Sequence, residues 1–300
     1  MSRYDLCLSW NWEYDADFVR LIEAACSARG LSFLQVTPES LDKVLAGLEN
    51  GDTSYGSLFD RASESDGRFQ ALVDWATRHG AFCMNPQERT NWAGDKATMR
   101  LEFISRGLYT PYTIILPPYT KQASIQMSDL KPLGGSFAIK PACEGGGDGV
   151  ILEATSWQKV LEARRQFPNE KYLLQAHVTA RSLDGRPAWF RVLYCNGAVY
   201  PCWWDQRTHV YARVTADERA RFGLRSLREI PLRIAQICGL DLFSTEIALT
   251  EDNHFLAVDY VNDPVDLRLQ SKAVDGVPDG YVESIAARLA RMAESSRTGP

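Results

Sequence analysis

Two groups of residues have the types and spacing that chemistry needs. The first is a lysine leading into a glycine-rich stretch: Phe137-Ala138-Ile139-Lys140-Pro141, then Glu144-Gly145-Gly146-Gly147-Asp148-Gly149-Val150. Four glycines in five positions leave backbone N–H groups uncovered and free to take positive φ, which suits a flap closing over phosphates, with Lys140 as the fixed charge. The plain alternative is a mobile connector beside a solvated lysine. The second group lies in Leu242-Phe243-Ser244-Thr245-Glu246-Ile247 and Phe255-Leu256-Ala257-Val258-Asp259-Tyr260-Val261-Asn262-Asp263. A turn near Asp252 and Asn253 sets Glu246 opposite Asp259, with cross-strand Cβ atoms about 5 Å apart. Two carboxylates on one face of an apolar hairpin repel each other, so a cation is their natural third party. Oxygen donors from Glu, Asp and Asn suit Mg²⁺ bridging to nucleotide phosphates. The alternative is that one carboxylate pairs with Arg191 or Arg207.

The elements that must position these groups follow from periodicity. Residues 4–8, 32–36, 55–59 and 81–84 read as strands. Between them, residues 15–29 (capped by Asp15), 38–48 and 67–78 read as helices. This alternation predicts a parallel sheet covered on both faces, with ligands collecting at the carboxyl ends of its strands, near Trp10, Asn11 and Trp12. A plainer reading has those tryptophans covering a sheet edge. A helix over 97–106 and a strand over 112–116 precede a compact block with strands at 137–140, 150–154 and 172–178 and a helix at 156–165. The C-terminal part is strand-rich. Asn196-Gly197 marks a two-residue hairpin between 189–194 and 199–204. Helices at about 227–238 and 281–295 bracket the acidic hairpin.

Composition narrows the function classes. The chain has 300 residues, 33 Lys+Arg against 38 Asp+Glu and a formal charge of -5, which argues against binding nucleic acid through phosphate counterion release. No apolar run approaches the roughly 18 residues of a membrane span, and acidic residues from Asp5 onward oppose a signal-like segment, so a cytoplasmic protein is expected. Seven cysteines without C-x-x-C spacing read as buried thiols in a reducing compartment. A P-loop, a dinucleotide fingerprint, a serine elbow and His/Cys metal spacing are all missing.

The ordered set Asp95-Lys96, Ile139-Lys140-Pro141, the glycine-rich flap, Leu173-Leu174-Gln175-Ala176-His177-Val178, Phe190-Arg191-Val192 and then Glu246, Asp259 and Asn262 resembles the ATP-grasp superfamily. The resemblance covers the whole chain and is of the carboxylate-amine ligase type, similar to glutathione synthetase and D-alanine:D-alanine ligase. It implies an α/β and α+β architecture, with an N-terminal parallel α/β lobe (1–95), a small lobe bearing the flap (96–180) and a C-terminal lobe bearing the metal site (181–300). The two α+β lobes would enclose ATP. Lys96, Lys140 and the flap residues Glu144, Gly145, Gly146, Gly147, Asp148 and Gly149 would meet its phosphates. Gln175, Ala176, His177 and Val178 would lie against adenine through their backbone. Glu246, Asp259 and Asn262 would hold Mg²⁺, and Arg191 would face the transferred phosphate.

Several positions depart from the family pattern. Ala176 stands where relatives carry an acidic residue. Asp259 and Asn262 are three apart instead of two, which needs a bulge at Tyr260-Val261 or metal binding by Asp263 in place of Asn262. Trp189 and Phe190 replace a common Asp, leaving His177 and Asp184 as the candidates for ribose. The implied reaction is ATP-dependent joining of a small carboxylate to an amine through an acyl phosphate. The alternatives are a polyol kinase and a nucleotide-binding module without turnover. Small-molecule substrates are expected and a homodimer is allowed. Arg207, Arg213 and Arg268 are the candidates for clamping a substrate carboxylate, each with a structural role as the simpler reading.

Overall fold

The computed structural model describes residues 2–125, 129–143 and 147–297. The N-terminal part contains β1 (Ser2–Trp10), α1 (Ala16–Ser27), β2 (Phe33–Val36), α2 (Leu41–Glu49), β3 (Thr53–Arg61), α3 (Gln70–His79) and β4 (Phe82–Met84). Its strands form a parallel sheet in the order β2-β1-β3-β4. The helix-length connections dictate this arrangement, since parallel neighbours need a crossover. Gly80 closes α3 at φ 66°, in the left-handed region where a glycine costs least. Asp15 precedes α1 without capping it through its side chain. Its carboxylate is taken instead by Arg61.

Next come α4 (Gln87–Gly94), α5 (Lys96–Ser105), β5 (Thr113–Leu116), β6 (Phe137–Pro141), β7 (Ile151–Ala154), α6 (Trp157–Gln166) and β8 (Tyr172–Ala176). The four strands make an antiparallel sheet, β5-β8-β6-β7. Asp95 caps α5, accepting from the N–H groups of Ala97 and Thr98. Ser156 caps α6 in the same way. The small sheet has its own core, with Leu116, Phe137, Ile139, Val160, Tyr172 and Leu174 packed together. By contrast α5 buries Ala97, Met99 and Phe103 against the C-terminal part, so its packing crosses the division of the sequence at 96.

The C-terminal part holds a short hairpin of β9 (Ser182–Leu183) and β10 (Arg186–Pro187), followed by β11 (Trp189–Cys195), β12 (Ala198–Trp204) and β13 (Tyr211–Arg213). Then come α7 (Ala216–Arg221), α8 (Ser226–Cys238), β14 (Leu242–Leu249), β15 (Phe255–Asn262) and α9 (Asp279–Ser296). A five-stranded antiparallel sheet runs β13-β12-β11-β14-β15. Asn196 and Gly197 both have positive φ, as the tight turn between β11 and β12 requires. One face of this sheet packs on α8 and α5. The other face joins α9 and the N-terminal lobe in a single core that includes Leu6, Phe18, Ile22, Leu193, Ile285 and Leu289. Each such side chain contributes on the order of 1.5–3 kcal/mol when fully buried, so α9 fastens the first lobe to the last. Five of the seven cysteines are buried and Cys83 is partly so, but Cys143 is exposed. Among the described residues no helix is long and apolar enough to cross a membrane.

Candidate nucleotide and metal site

The register of the large sheet builds one row of side chains across all five strands. Arg213 on β13 faces Cys202 on β12, Cys202 faces Arg191 on β11, Arg191 faces Glu246 on β14, and Glu246 faces Asp259 on β15. Directly opposed residues share a face, so two arginines and two carboxylates line one side of the sheet. Arg191 Nη1 lies 3.4 Å from Glu246 Oε1, and its Nε donates to Ser244 Oγ at 3.2 Å. The Trp204 ring centroid is 5.0 Å from its guanidinium. Trp189 Nε1 donates to the other Glu246 oxygen at 3.2 Å. The acidic pair therefore coexists with an arginine partner, and that partner is Arg191. Arg207 lies in an exposed turn, where its backbone N–H donates to Asp205.

The pairing of β14 with β15 is irregular on both sides of Glu246. Ser244 pairs with Asn262 while Glu246 pairs with Asp259, so one extra residue is absorbed on β15 between Asp259 and Asn262. That bulge is the feature a three-residue spacing needs if Asp259 and Asn262 are to approach one side. Asn262 Nδ2 donates to Ser244 O at 3.5 Å. Asp263 turns elsewhere: Asn85 Nδ2 donates to its Oδ1 at 2.8 Å and Thr90 Oγ1 to its Oδ2 at 3.1 Å. Burial pushes the Asp263 carboxyl up to about 6.

Electrostatics separates the two carboxylates. Burial pushes Glu246 up and Asp259 adds to the effect, against the pull of Arg191, Trp189 and Lys140. Burial also opposes ionisation of Asp259, yet Lys140, Lys96, Arg191 and a hydrogen bond from Asn262 together hold it below the ordinary carboxylate range. Three cations from three elements (Lys96 opening α5, Lys140 on β6, Arg191 on β11) thus converge electrostatically on Asp259. The backbone helps to place them. Lys96 N donates to Ala142 O at 2.9 Å, which ties the start of α5 to the end of β6. Lys171 Nζ pairs with Asp95 beneath the same junction. Among the described residues no three His, Cys, Asp or Glu side chains form a metal cluster, so a cation here would rest on the two carboxylates and an amide oxygen. That donor set fits a hard ion such as Mg²⁺.

Sequence reasoning missed several of the supporting contacts. Gln175 is buried, and its Nε2 donates 3.3 Å to Val258 O across the lobes. Ala176 N donates to Tyr112 O at 2.9 Å, where β8 ends. His177 Nε2 lies 3.7 Å from Glu153, and Val178 packs against the core shared with the N-terminal lobe. In the flap, Glu144, Gly145 and Gly146 lie outside the described residues. Gly147 and Gly149 both have positive φ, and Val150 N donates to Gly147 O at 3.1 Å. Asp148 lies between them in the same turn. Asp184 is tied to Arg221 at 2.8 Å. Arg268 is clamped by Asp266 and Asp275. Arg213 instead lies over the Tyr281 ring at 4.4 Å, with no carboxylate pairing it among the described residues.

No protein-family model matches the chain, and no curated protein does. Solved structures match along its length. A RimK domain ATP-grasp protein from Sphaerobacter thermophilus covers 98% of this chain and 100% of its own, at 18% identity and a TM-score of 0.64. D-alanine–D-alanine ligase from Bacillus anthracis, solved with ATP, covers 98% and 99% at 11% identity with a TM-score of 0.64. The ATP-grasp ligase PsnB, solved with its minimal precursor, Mg and ADP, covers 98% and 99% at 12% identity with a TM-score of 0.62. At these identities the likeness is one of architecture. The chain has the ATP-grasp fold.

Proposed function

We propose that the protein is an ATP-dependent ligase that joins a small carboxylate to an amine. The observation that carries the reading is the convergence of Lys96, Lys140 and Arg191 on a paired Glu246 and Asp259, at the junction of two lobes with the ATP-grasp architecture. Lys96, Lys140 and the flap from Glu144 to Gly149 bind the phosphates. Gln175, Ala176, His177 and Val178 lie along adenine. Because the Ala176 N–H is already committed to Tyr112, the base contact falls on His177 and Val178. Glu246, Asp259 and Asn262 hold Mg²⁺, and Asp263 is left to anchor the loop to Asn85 and Thr90. When bound, the metal supplies neutralisation of phosphate charge.

In this reading a substrate carboxylate oxygen bonds to the γ-phosphorus as the bond to the ADP oxygen breaks. The amine nitrogen then bonds to the acyl carbon, phosphate leaves, and the amine gives up a proton. The chain supplies no covalent nucleophile. Its part is to position reactants and offset negative charge, which preorganised cations do best where water is excluded. Arg191 faces the transferred phosphate, and Arg213, in the same row, takes the substrate carboxylate.

The test is incubation with ATP, Mg²⁺, hydroxylamine and pooled carboxylates. Hydroxamate formation with stoichiometric ADP supports the ligase. A phosphorylated alcohol without hydroxamate means a kinase, and no ADP release means a binding module.

A further inference from the structure

At the carboxyl ends of β1 and β3 lies a cleft of about 330 Å³, lined by Asn11, Trp12, Asp15, Arg61, Glu64 and Pro264. It borders the loop that leaves β15 just past Asn262, and Asp263 in that loop feels the charges of Arg61 and Glu64. The cations near the cleft are already committed. Arg61 donates Nε and Nη2 to the two Asp15 oxygens, both at 2.8 Å, and Nη2 also to Val265 O at 3.0 Å. Arg268 stands 5.7 Å from the Trp12 ring centroid, but Asp266 at 2.7 Å and Asp275 at 2.9 Å over-compensate it. Neither arginine is left to receive an anion.

The remaining groups favour a cation. Asp60 accepts from Ser9 and Ser63, and Asn11 Nδ2 donates to Ser65. Glu64 is an exposed residue that lines the cleft with no hydrogen bond or ion pair among the described residues, and partial desolvation, with Asp60 nearby, pushes its carboxyl up. A ligand cation would reverse that effect, whereas a ligand carboxylate would add to it. Trp12, which lines the cleft, is 38% exposed, and the ring of Tyr14, 55% exposed, adjoins it edge to face at 5.3 Å. Two exposed rings beside one uncompensated carboxylate offer a flat apolar contact and a charge contact together.

We propose that this cleft is the subsite of the acceptor amine and selects an ammonium group carried on a flat apolar body, the cation against Glu64 and the body against Trp12 and Tyr14. The role of acceptor rests on the ligase reading, but binding of the amine does not.

The test is saturation-transfer NMR on the full chain without nucleotide, with phenethylamine, 3-phenylpropionate and phenethyl alcohol as probes. Phenethylamine should bind at least about tenfold more tightly than 3-phenylpropionate, the order of effect of one charge-assisted contact. Glu64→Gln should remove that preference while the alcohol still binds. Trp12→Ala should weaken the amine and the alcohol alike, and Trp12→Phe should restore both, with melting temperatures confirming that the variants are folded. Equal binding of 3-phenylpropionate, or a preference that survives Glu64→Gln, overturns the proposal. A melting scan with MgATP forms a separate arm. Amine binding without an MgATP shift would sink the ligase reading and leave the amine site standing. An MgATP shift without amine binding would sink the amine site alone.

Discussion

Arg191 and Glu246 face each other in register on β11 and β14, 3.4 Å apart, and the next residue in that row is Asp259. The arrangement separates two kinds of variant. Glu246→Gln removes a proposed metal ligand but leaves Lys96, Lys140 and the proposed adenine-facing residues 175–178, so ATP should still bind while turnover falls by about 10²–10³-fold. Lys140→Ala should instead weaken the nucleotide itself, by about tenfold, since it removes a contact present before transfer. Calorimetric titration with a non-hydrolysable ATP analogue, beside ADP release, distinguishes the two. Near-normal turnover of Glu246→Gln at low Mg²⁺ would remove the metal from this face.

The buried ion pair between Asp15 and Arg61 holds the 265 loop against the N-terminal lobe, with both side chains under 5% exposed. Arg61→Met leaves a buried carboxylate without its cation, and breaking such a pair costs roughly 3–5 kcal/mol. Urea unfolding should show a loss of that size. The double substitution Asp15→Leu with Arg61→Met should recover much of it, because no lone charge then remains inside.

Gly147 and Gly149 are both left-handed, but their surroundings differ. A Cβ at Gly147 meets nothing within 4 Å, whereas at Gly149 it falls 2.5 Å from Phe167 Cε2. Gly147→Ala should therefore cost only the backbone strain, about 1 kcal/mol. Gly149→Ala should cost clearly more, and Phe167→Leu should offset part of the excess. Thermal melting of the three variants and the double variant measures this. Equal costs at the two glycines would mean that Phe167 yields freely.

Asp95 caps α5 and pairs with Lys171. Burial alone would raise its carboxyl, yet the hydrogen bonds from Lys171 and Thr98 hold it below the ordinary carboxylate range. A carboxylate lowered by folding adds stability that is present above its unfolded pKa and is lost as pH falls through the folded value. Asp95→Asn keeps a good cap and loses the charge, so it should cost about 1 kcal/mol at pH 7. That difference should shrink once pH drops below about 3.8. A difference that persists unchanged at pH 2 would assign the effect to the cap alone.

Most of the elements were legible in the sequence for local reasons. Alternating apolar runs and helix-length spacers specify the parallel first sheet. Asn196-Gly197 specifies the β11–β12 turn, because few residues accept positive φ twice in succession. The short turn at Asp252-Asn253 sets Glu246 opposite Asp259, and the three-residue spacing to Asn262 called for either a bulge or metal binding by Asp263; the strand pairing does contain an extra residue between Asp259 and Asn262. The helix over Gln87–Gly94 was missed because its apolar residues mark no face. The helix over Ala216–Arg221 was missed because its signal is a capping box of Thr215 and Glu218 with no buried side chain.

What the tertiary structure alone decided are relations between distant segments. The sheet order β13-β12-β11-β14-β15 puts Arg213, Arg191, Glu246 and Asp259 in one row, and local patterns carry no information about strand order. Asp15 reads as a cap until Arg61 claims it, and the sequence gives no sign that Asn85 and Thr90, more than 170 positions away, donate to the two Asp263 oxygens. Helix α9 reads as an ordinary amphipathic helix, yet its apolar face is shared between the last sheet and the first lobe. In each case residue type and spacing state what a side chain can do. Which of its possible partners it meets depends on burial in the packed chain, where an unpaired charge or polar group is costly enough to settle the choice.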